Sequence, residues 1–190
     1  MVQPISTPHM LYEEYLEAEE RSAEKHEYLR GDVFAMAGRT PEHAALAMGM
    51  GAALVAGLRG RACRVFSSDA RVRVVETDFT TYPDITVVCG RLETDAQDRN
   101  AIVNPVLLVE VLSDGTEAHD RGEKTAHYRK IASLREYAFV SQHEPQVEVY
   151  RRNEAGRWEL YEAGRGESVE LASVGCTIAV DELYRDPLAR

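Results

Sequence analysis

Glu110 lies within Val106-Leu107-Leu108-Val109-Glu110-Val111-Leu112, an otherwise apolar run. A carboxylate buried there must be neutralised, paired with a cation or bound to a metal. By itself it reads most simply as half of a salt bridge. Asp84 follows Pro83 and opens a second apolar run, Ile85-Thr86-Val87-Val88; proline is tolerated at the first position of a strand. If strands 84–88 and 106–112 pair antiparallel, Asp84 comes beside Glu110, with neighbouring strands ~5 Å apart. Two carboxylates so close repel unless a cation stands between them, and an oxygen-rich donor set suits Mg²⁺ or Mn²⁺ rather than zinc. Lys124 falls in the first turn of a helix, where the dipole disfavours a cation. Yet Lys124, Tyr128 and Ile131 follow i, i+4, i+7 spacing, which turns the lysine toward the sheet. There it either pairs locally with Asp120 or reaches the carboxylates, to position water or stabilise developing negative charge.

The elements that must position these groups are legible from periodicity and punctuation. Thr7-Pro8 reads as a helix cap with proline at the first helical position, ahead of a stripe made by Leu11, Tyr12, Tyr15 and Leu16. EYLRGDVFAM reads as two short strands around Arg30-Gly31. Thr40-Pro41 opens a helix to about Leu58, with Gly49, Ala53 and Gly57 at four-residue spacing, a face for close packing. From Cys63 the period changes to two, through Val65, Val72, Val74, Ile85 and Val87. The run 106–112 reads as a strand buried on both faces. A helix follows, with Asp120 as cap and Glu123 three residues on, similar to a capping box. REYAFVSQ, QVEVYRR, RWELYEA and ESVELAS then read as four strands. Segment 89–105 exceeds a hairpin loop and reads as a substrate loop or a dimer contact. The fold class is α/β (α+β), a mixed central sheet flanked by helices with a strand-rich C-terminal half, in one domain over 1–190.

A Pro-Asp at a strand start, a Glu in the next buried strand and an inward lysine together resemble the PD-(D/E)XK nuclease superfamily. The chain is most similar to its Uma-type restriction endonuclease branch, through HEYLRGDVFAMAG, SSDARVRV, YPDITVVCG, PVLLVEVLSDGTEAHDRGEKTAHYRKIASLREYAFV and QVEVYRR. These stretches lie between about residues 9 and 184. The resemblance implies a restriction endonuclease-like fold, Mg²⁺ or Mn²⁺ as cofactor, DNA as substrate and a homodimer. Asp84 and Glu110 match the metal-binding acids. The lysine usual two positions after the acidic residue is replaced by Leu112, and Lys124 from the following helix takes its place. Glu27 matches a further acidic position and is a candidate third carboxylate. His43, third in its helix, matches a frequent histidine. Asp69 reads as a turn residue, and Asp120 as a cap that bonds Lys124.

Composition bounds the alternatives. The 190 residues are 44% hydrophobic and 28% charged with a formal net charge of −10, so the chain is no general polyanion binder. Contact with nucleic acid requires local basic faces, and 57–73 (Arg59, Arg61, Arg64, Arg71, Arg73) and 121–135 (Arg121, Lys124, Arg129, Lys130, Arg135) are the candidates. Cys63, Cys89 and Cys176 are sparse and odd in number, which argues against a disulfide framework and a cysteine-rich zinc site and fits a reducing cytoplasm. No signal pattern or spanning apolar run is present. A catalytically degenerate module that binds nucleic acid or dimerises is the chief rival reading, given Leu112. Glycoside hydrolysis ranks last, since one tryptophan and 7% aromatic residues leave little for sugar stacking.

Overall fold

The computed structural model describes residues 9–36, 38, 40–115 and 117–186. Helix α1 (Tyr12–Arg21) buries Tyr12 and Tyr15 against Tyr28 and Val33. Thr7-Pro8 lies outside the described residues; within them the helix begins at Tyr12, and the Leu11 N–H donates to Glu14 Oε2 at 2.8 Å. Strands β1 (His26–Leu29) and β2 (Asp32–Ala35) form the expected hairpin. Arg30 and Gly31 both have positive φ, +50° and +97°, the conformation a two-residue type I′ turn requires. Helix α2 (Pro41–Gly57) starts as expected, with the Thr40 side chain accepting from the His43 N–H.

Strands β3 (Cys63–Ser67), β4 (Arg71–Val74), β5 (Phe79–Thr81), β6 (Ile85–Cys89), β7 (Ala101–Ile102) and β8 (Leu107–Val111) follow. After a helical segment come β9 (Glu136–Val140), β10 (Gln146–Arg152), β11 (Trp158–Gly164) and β12 (Ser168–Leu171), the four strands read from sequence. β13 (Cys176–Ala179) and the short helix α5 (Val180–Leu183) complete the described chain. One sheet has the order β11-β10-β9-β8-β6-β3 and a second β2-β1-β5-β4-β7, while β12 and β13 make a separate ribbon. None of the described helices is long and apolar enough to cross a membrane.

The apolar run 106–112 becomes the buried strand β8, antiparallel to β6 and parallel to β9. Its alternation divides the core. Leu107, Val109 and Val111 join Met50 and Leu54 of α2 on one face. Leu108 and Leu112 join Tyr128, Ile131 and Phe139 on the other. Glu110 stands on this second face, between Leu108 and Leu112.

One expectation changes. Cys63 and Cys89 form a disulfide, and Cys176 is free. Twenty-six residues separate the pair in sequence, but the β3–β6 register sets them directly opposite. Of the two basic runs, Arg59, Arg61, Arg64, Arg129, Lys130 and Arg135 are exposed, while Arg71, Arg73 and Lys124 are buried. Arg71 pairs with Asp98 and Arg73 with Asp78, while Arg121 pairs with Glu117 and Glu148 and Lys130 with Glu76. Segment 89–105 is fastened to the second sheet, through β7 on β4 and buried Asp98 on Arg71.

The small-residue face of α2 does pack closely, though against the C-terminal ribbon. A Cβ added at Gly57 would lie 2.5 Å from the Cys176 sulfur. Gly57→Ala therefore destabilises the protein by about 1–3 kcal/mol in urea unfolding, the usual cost of overpacking. In a Cys176→Ala background the same substitution is close to neutral. An equal penalty in both backgrounds would contradict this packing.

Candidate active site

The register of β6 on β8 pairs Ile85 with Val109, so Asp84, one residue earlier, stands across from Glu110. Both carboxylates are buried and line one cleft of about 490 Å³. Asp84 Oδ2 accepts the Val111 backbone N–H at 2.8 Å, extending the ladder by a side chain. His43 Nε2, brought by the first turn of α2, lies 3.2 Å from the same oxygen. Thus Asp84 is held from the sheet on one side and from a helix start on the other.

Lys124 occupies the centre of the acidic cluster. Its Nζ lies 2.9 Å from Glu27 Oε1, 3.2 Å from Glu110 Oε1 and 3.1 Å from Asp120 Oδ1. The lysine reaches inward because its helix starts earlier than expected and changes pitch. α3 (Glu117–His119) runs into a π-helical turn (Asp120–Lys124) and then α4 (Thr125–Tyr128). Asp120 is therefore inside the helix and is not its cap, although its bond to Lys124 is present. The Thr125 hydroxyl donates to the Asp120 carbonyl at 2.8 Å, satisfying a backbone group at the altered pitch. π turns of this kind are frequent at functional sites.

Glu27 lies on β1 of the second sheet yet faces the same cleft. Both its oxygens have partners. Oε1 accepts from Thr81 Oγ1 at 2.5 Å and faces Lys124, and Oε2 lies 3.3 Å from His119 Nε2. The structure therefore brings together Glu27, His43, Asp84, Glu110 and Lys124, all five candidates from sequence. It adds His119 and Tyr128, whose hydroxyl donates to Glu110 Oε1 at 2.5 Å. Tyr128 shares the helical stripe of Lys124, so its direction was legible although its partner was not. His119 precedes the expected helix start and had no sequence signal. Asp69 lies in the turn between β3 and β4, paired with Lys25.

Charge is unevenly balanced here. Glu27, Asp84, Glu110 and Asp120 are each at most 6% exposed, and Lys124 is the one lysine among them, itself 5% exposed. Burial opposes the Glu27 charge, but Lys124 and hydrogen bonds from His119 and Thr81 outweigh it and lower the carboxyl to about 2. Burial pushes Glu110 the other way, to about 7, against the pull of Lys124 and with added repulsion from Asp120. Burial also opposes the Lys124 charge, but Glu110 and Glu27 hold it firmly protonated. The hydrogen bond to Glu27 raises His119. A lysine shared among three carboxylates leaves Glu110 the least satisfied of them.

Among the described residues no group of three or more His, Cys, Asp and Glu has the arrangement of a metal site. Asp84 and Glu110 offer a smaller donor set, two carboxylates from neighbouring strands. That set fits Mg²⁺ or Mn²⁺, which keep several waters and commonly take one or two carboxylates plus substrate phosphate.

Residues 12–181 match the Uma2 family, described as "Putative restriction endonuclease". Two uncharacterized proteins of Synechocystis sp. are similar to the chain. One is 36% identical over 181 residues, covering 94% of this chain and 93% of the relative. The other is 32% identical over 158 residues, covering 83% and 89%. The fold is similar to the crystal structure of "a putative nuclease belonging to DUF820" from Anabaena variabilis, with a TM-score of 0.72 and 18% identity, covering 90% of this chain and 95% of that one.

The opposed shifts of Glu27 and Glu110 give opposite pH signatures in metal-free protein. Lowered to about 2 from an ordinary 4.5, Glu27 contributes stability that is present above pH ~4.5 and lost as pH falls through ~2. Raised to about 7, Glu110 lowers stability as pH climbs from ~4.5 through ~7. Urea unfolding should find Glu27→Gln less stable than wild type at neutral pH, the gap closing in acid. Glu110→Gln should be more stable at alkaline pH, with that gap closing toward pH ~4.5. Stability curves parallel to wild type for both variants would contradict these shifts.

Proposed function

The chain belongs to the Uma2 family, and on that premise we propose that it is a divalent-metal-dependent endonuclease that hydrolyses DNA phosphodiester bonds. The observation that carries this reading is the cluster of three buried carboxylates around Lys124, with a fourth, Asp84, across from Glu110, open to a cleft. Buried acid in such excess calls for further positive charge, and Asp84 and Glu110 are the pair best disposed to share it. They would hold Mg²⁺ or Mn²⁺, which when bound supplies Lewis-acid polarisation of a phosphate and a water of lowered pKa.

The remaining work falls to the chain's own side chains. His43 and the Val111 N–H fix the direction of Asp84. Glu27 and Asp120 hold the Lys124 ammonium beside Glu110. From there it stabilises negative charge developing on a phosphoryl oxygen, or orients the attacking water. Leu112, at the position where the superfamily has its lysine, is committed to the apolar core. Lys124 supplies the cation from the helix instead, which favours a working site over a degenerate one. With both oxygens engaged by donors, Glu27 acts in this scheme by holding the lysine and His119.

Cleavage of plasmid and of single-stranded DNA with Mg²⁺ or Mn²⁺ tests the reading. The wild type should cut only with the metal. Lys124→Ala should lose ~10²–10³ in rate at saturating Mn²⁺, and its metal-free form should be less stable than wild type because three buried carboxylates lose their shared cation. Wild-type rates from Lys124→Ala would make the lysine structural. Absence of metal-dependent cutting by the wild type on DNA or RNA would overturn the nuclease reading.

A further inference from the structure

Glu110 is held asymmetrically. The Tyr128 hydroxyl donates to Oε1 at 2.5 Å, and Lys124 Nζ approaches the same oxygen at 3.2 Å. Both donors come from one helix, one turn apart. Among the described residues no donor bonds Oε2, although Glu110 lines the cleft. One oxygen is therefore fastened and the other is left for whatever enters.

Tyr128 is the stiffer of the two fasteners. Its ring is 1% exposed and lies in the apolar cluster with Ile131, Leu134 and Phe139. Rotation about the ring axis leaves the hydroxyl oxygen in place, whereas an ammonium on four methylenes can shift among its three carboxylate partners. The hydroxyl is also not needed to fill space, because phenylalanine has the same ring. Burial and the Glu110 charge hold the phenol neutral, so it stands at that carboxylate as a donor. A buried donor aimed at one carboxylate oxygen, at 2.5 Å, calls for a role at that oxygen.

We infer that Tyr128 is the positioning residue of the site, holding Glu110 by Oε1 so that Oε2 alone is presented to the divalent cation. This rests on the nuclease reading above and adds a denticity to it: Glu110 contributes a single oxygen, in a direction set by the tyrosine. Partners that orient a metal-binding carboxylate typically contribute 10–100-fold in metal affinity or activity when removed.

The test is calorimetric Mn²⁺ titration of the metal-free full chain as wild type, Tyr128→Phe and Tyr137→Phe. Tyr137 is a second buried tyrosine of the same apolar cluster, with its hydroxyl bonded to Arg129 instead of Glu110. Tyr128→Phe should bind Mn²⁺ ~10–100-fold more weakly than wild type while still folded at the titration temperature, its metal-free melting temperature lowered because Glu110 loses a donor. Tyr137→Phe should bind as wild type does. Raising Mn²⁺ to saturation should return most of the DNA-cleavage kcat to Tyr128→Phe, because the tyrosine acts through the ligand and not on the phosphate. Unchanged Mn²⁺ affinity in Tyr128→Phe overturns the inference while leaving the nuclease reading intact. So does an equal loss in Tyr137→Phe, which would make the effect one of general packing. A wild type that binds no Mn²⁺ overturns both.

Discussion

The constraint on which the rest depends is the ammonium of Lys124, enclosed by three carboxylates in a part of the protein that water barely reaches. Desolvating ions is expensive, and a buried ion pair often contributes less stability than apolar residues of the same shape would. Removing one partner of such a cluster is worse, because the remaining charges keep their desolvation cost without compensation. The surrounding fold is therefore bound to hold every member in place. Thr81 serves Glu27, Tyr128 serves Glu110, and the Val111 N–H serves Asp84.

Two separate sheets meet this demand together. β8 delivers Glu110 from the middle of the six-stranded sheet, and the residue ahead of β6 delivers Asp84 beside it. β1, in the other sheet, delivers Glu27 from across the cleft. The helix between β8 and β9 bridges the two, and its π turn lets Asp120 and Lys124 face the cluster at once. Because β8 is buried on both faces, Glu110 has little room to move away from its neighbours. The apolar residues that make it costly also make it rigid, which is what a site that must present oxygens in fixed directions needs.

Much of this was legible in the sequence because the relevant signals are local and strong. A carboxylate in an apolar run, Pro-Asp ahead of another, and Thr-Pro before a helix each state a physical condition that few structures meet. Parity then did the rest: strand alternation and one assumed antiparallel pairing suffice to bring Asp84 to Glu110. What stayed hidden depended on contacts distant in sequence. Glu27 reads as easily as a solvated residue at a strand start, and only its approach to Lys124 shows otherwise. The Cys63–Cys89 disulfide follows from register, which cysteine counting does not reveal. Of five arginines in one stretch, two are met by Asp98 and Asp78, partners that the stretch itself does not reveal. Asp120 matched a capping pattern, but the helix begins three residues earlier, after Ser113 accepts the Glu117 N–H.

The central claim is that Asp84 and Glu110 share a divalent cation. Crystals soaked in Mn²⁺, with data collected for its anomalous signal, test that most directly. The account predicts one strong anomalous peak between the two carboxylates, bound by at least one oxygen of each. No peak there at saturating Mn²⁺, or a peak elsewhere in a protein that still cuts DNA, would contradict it.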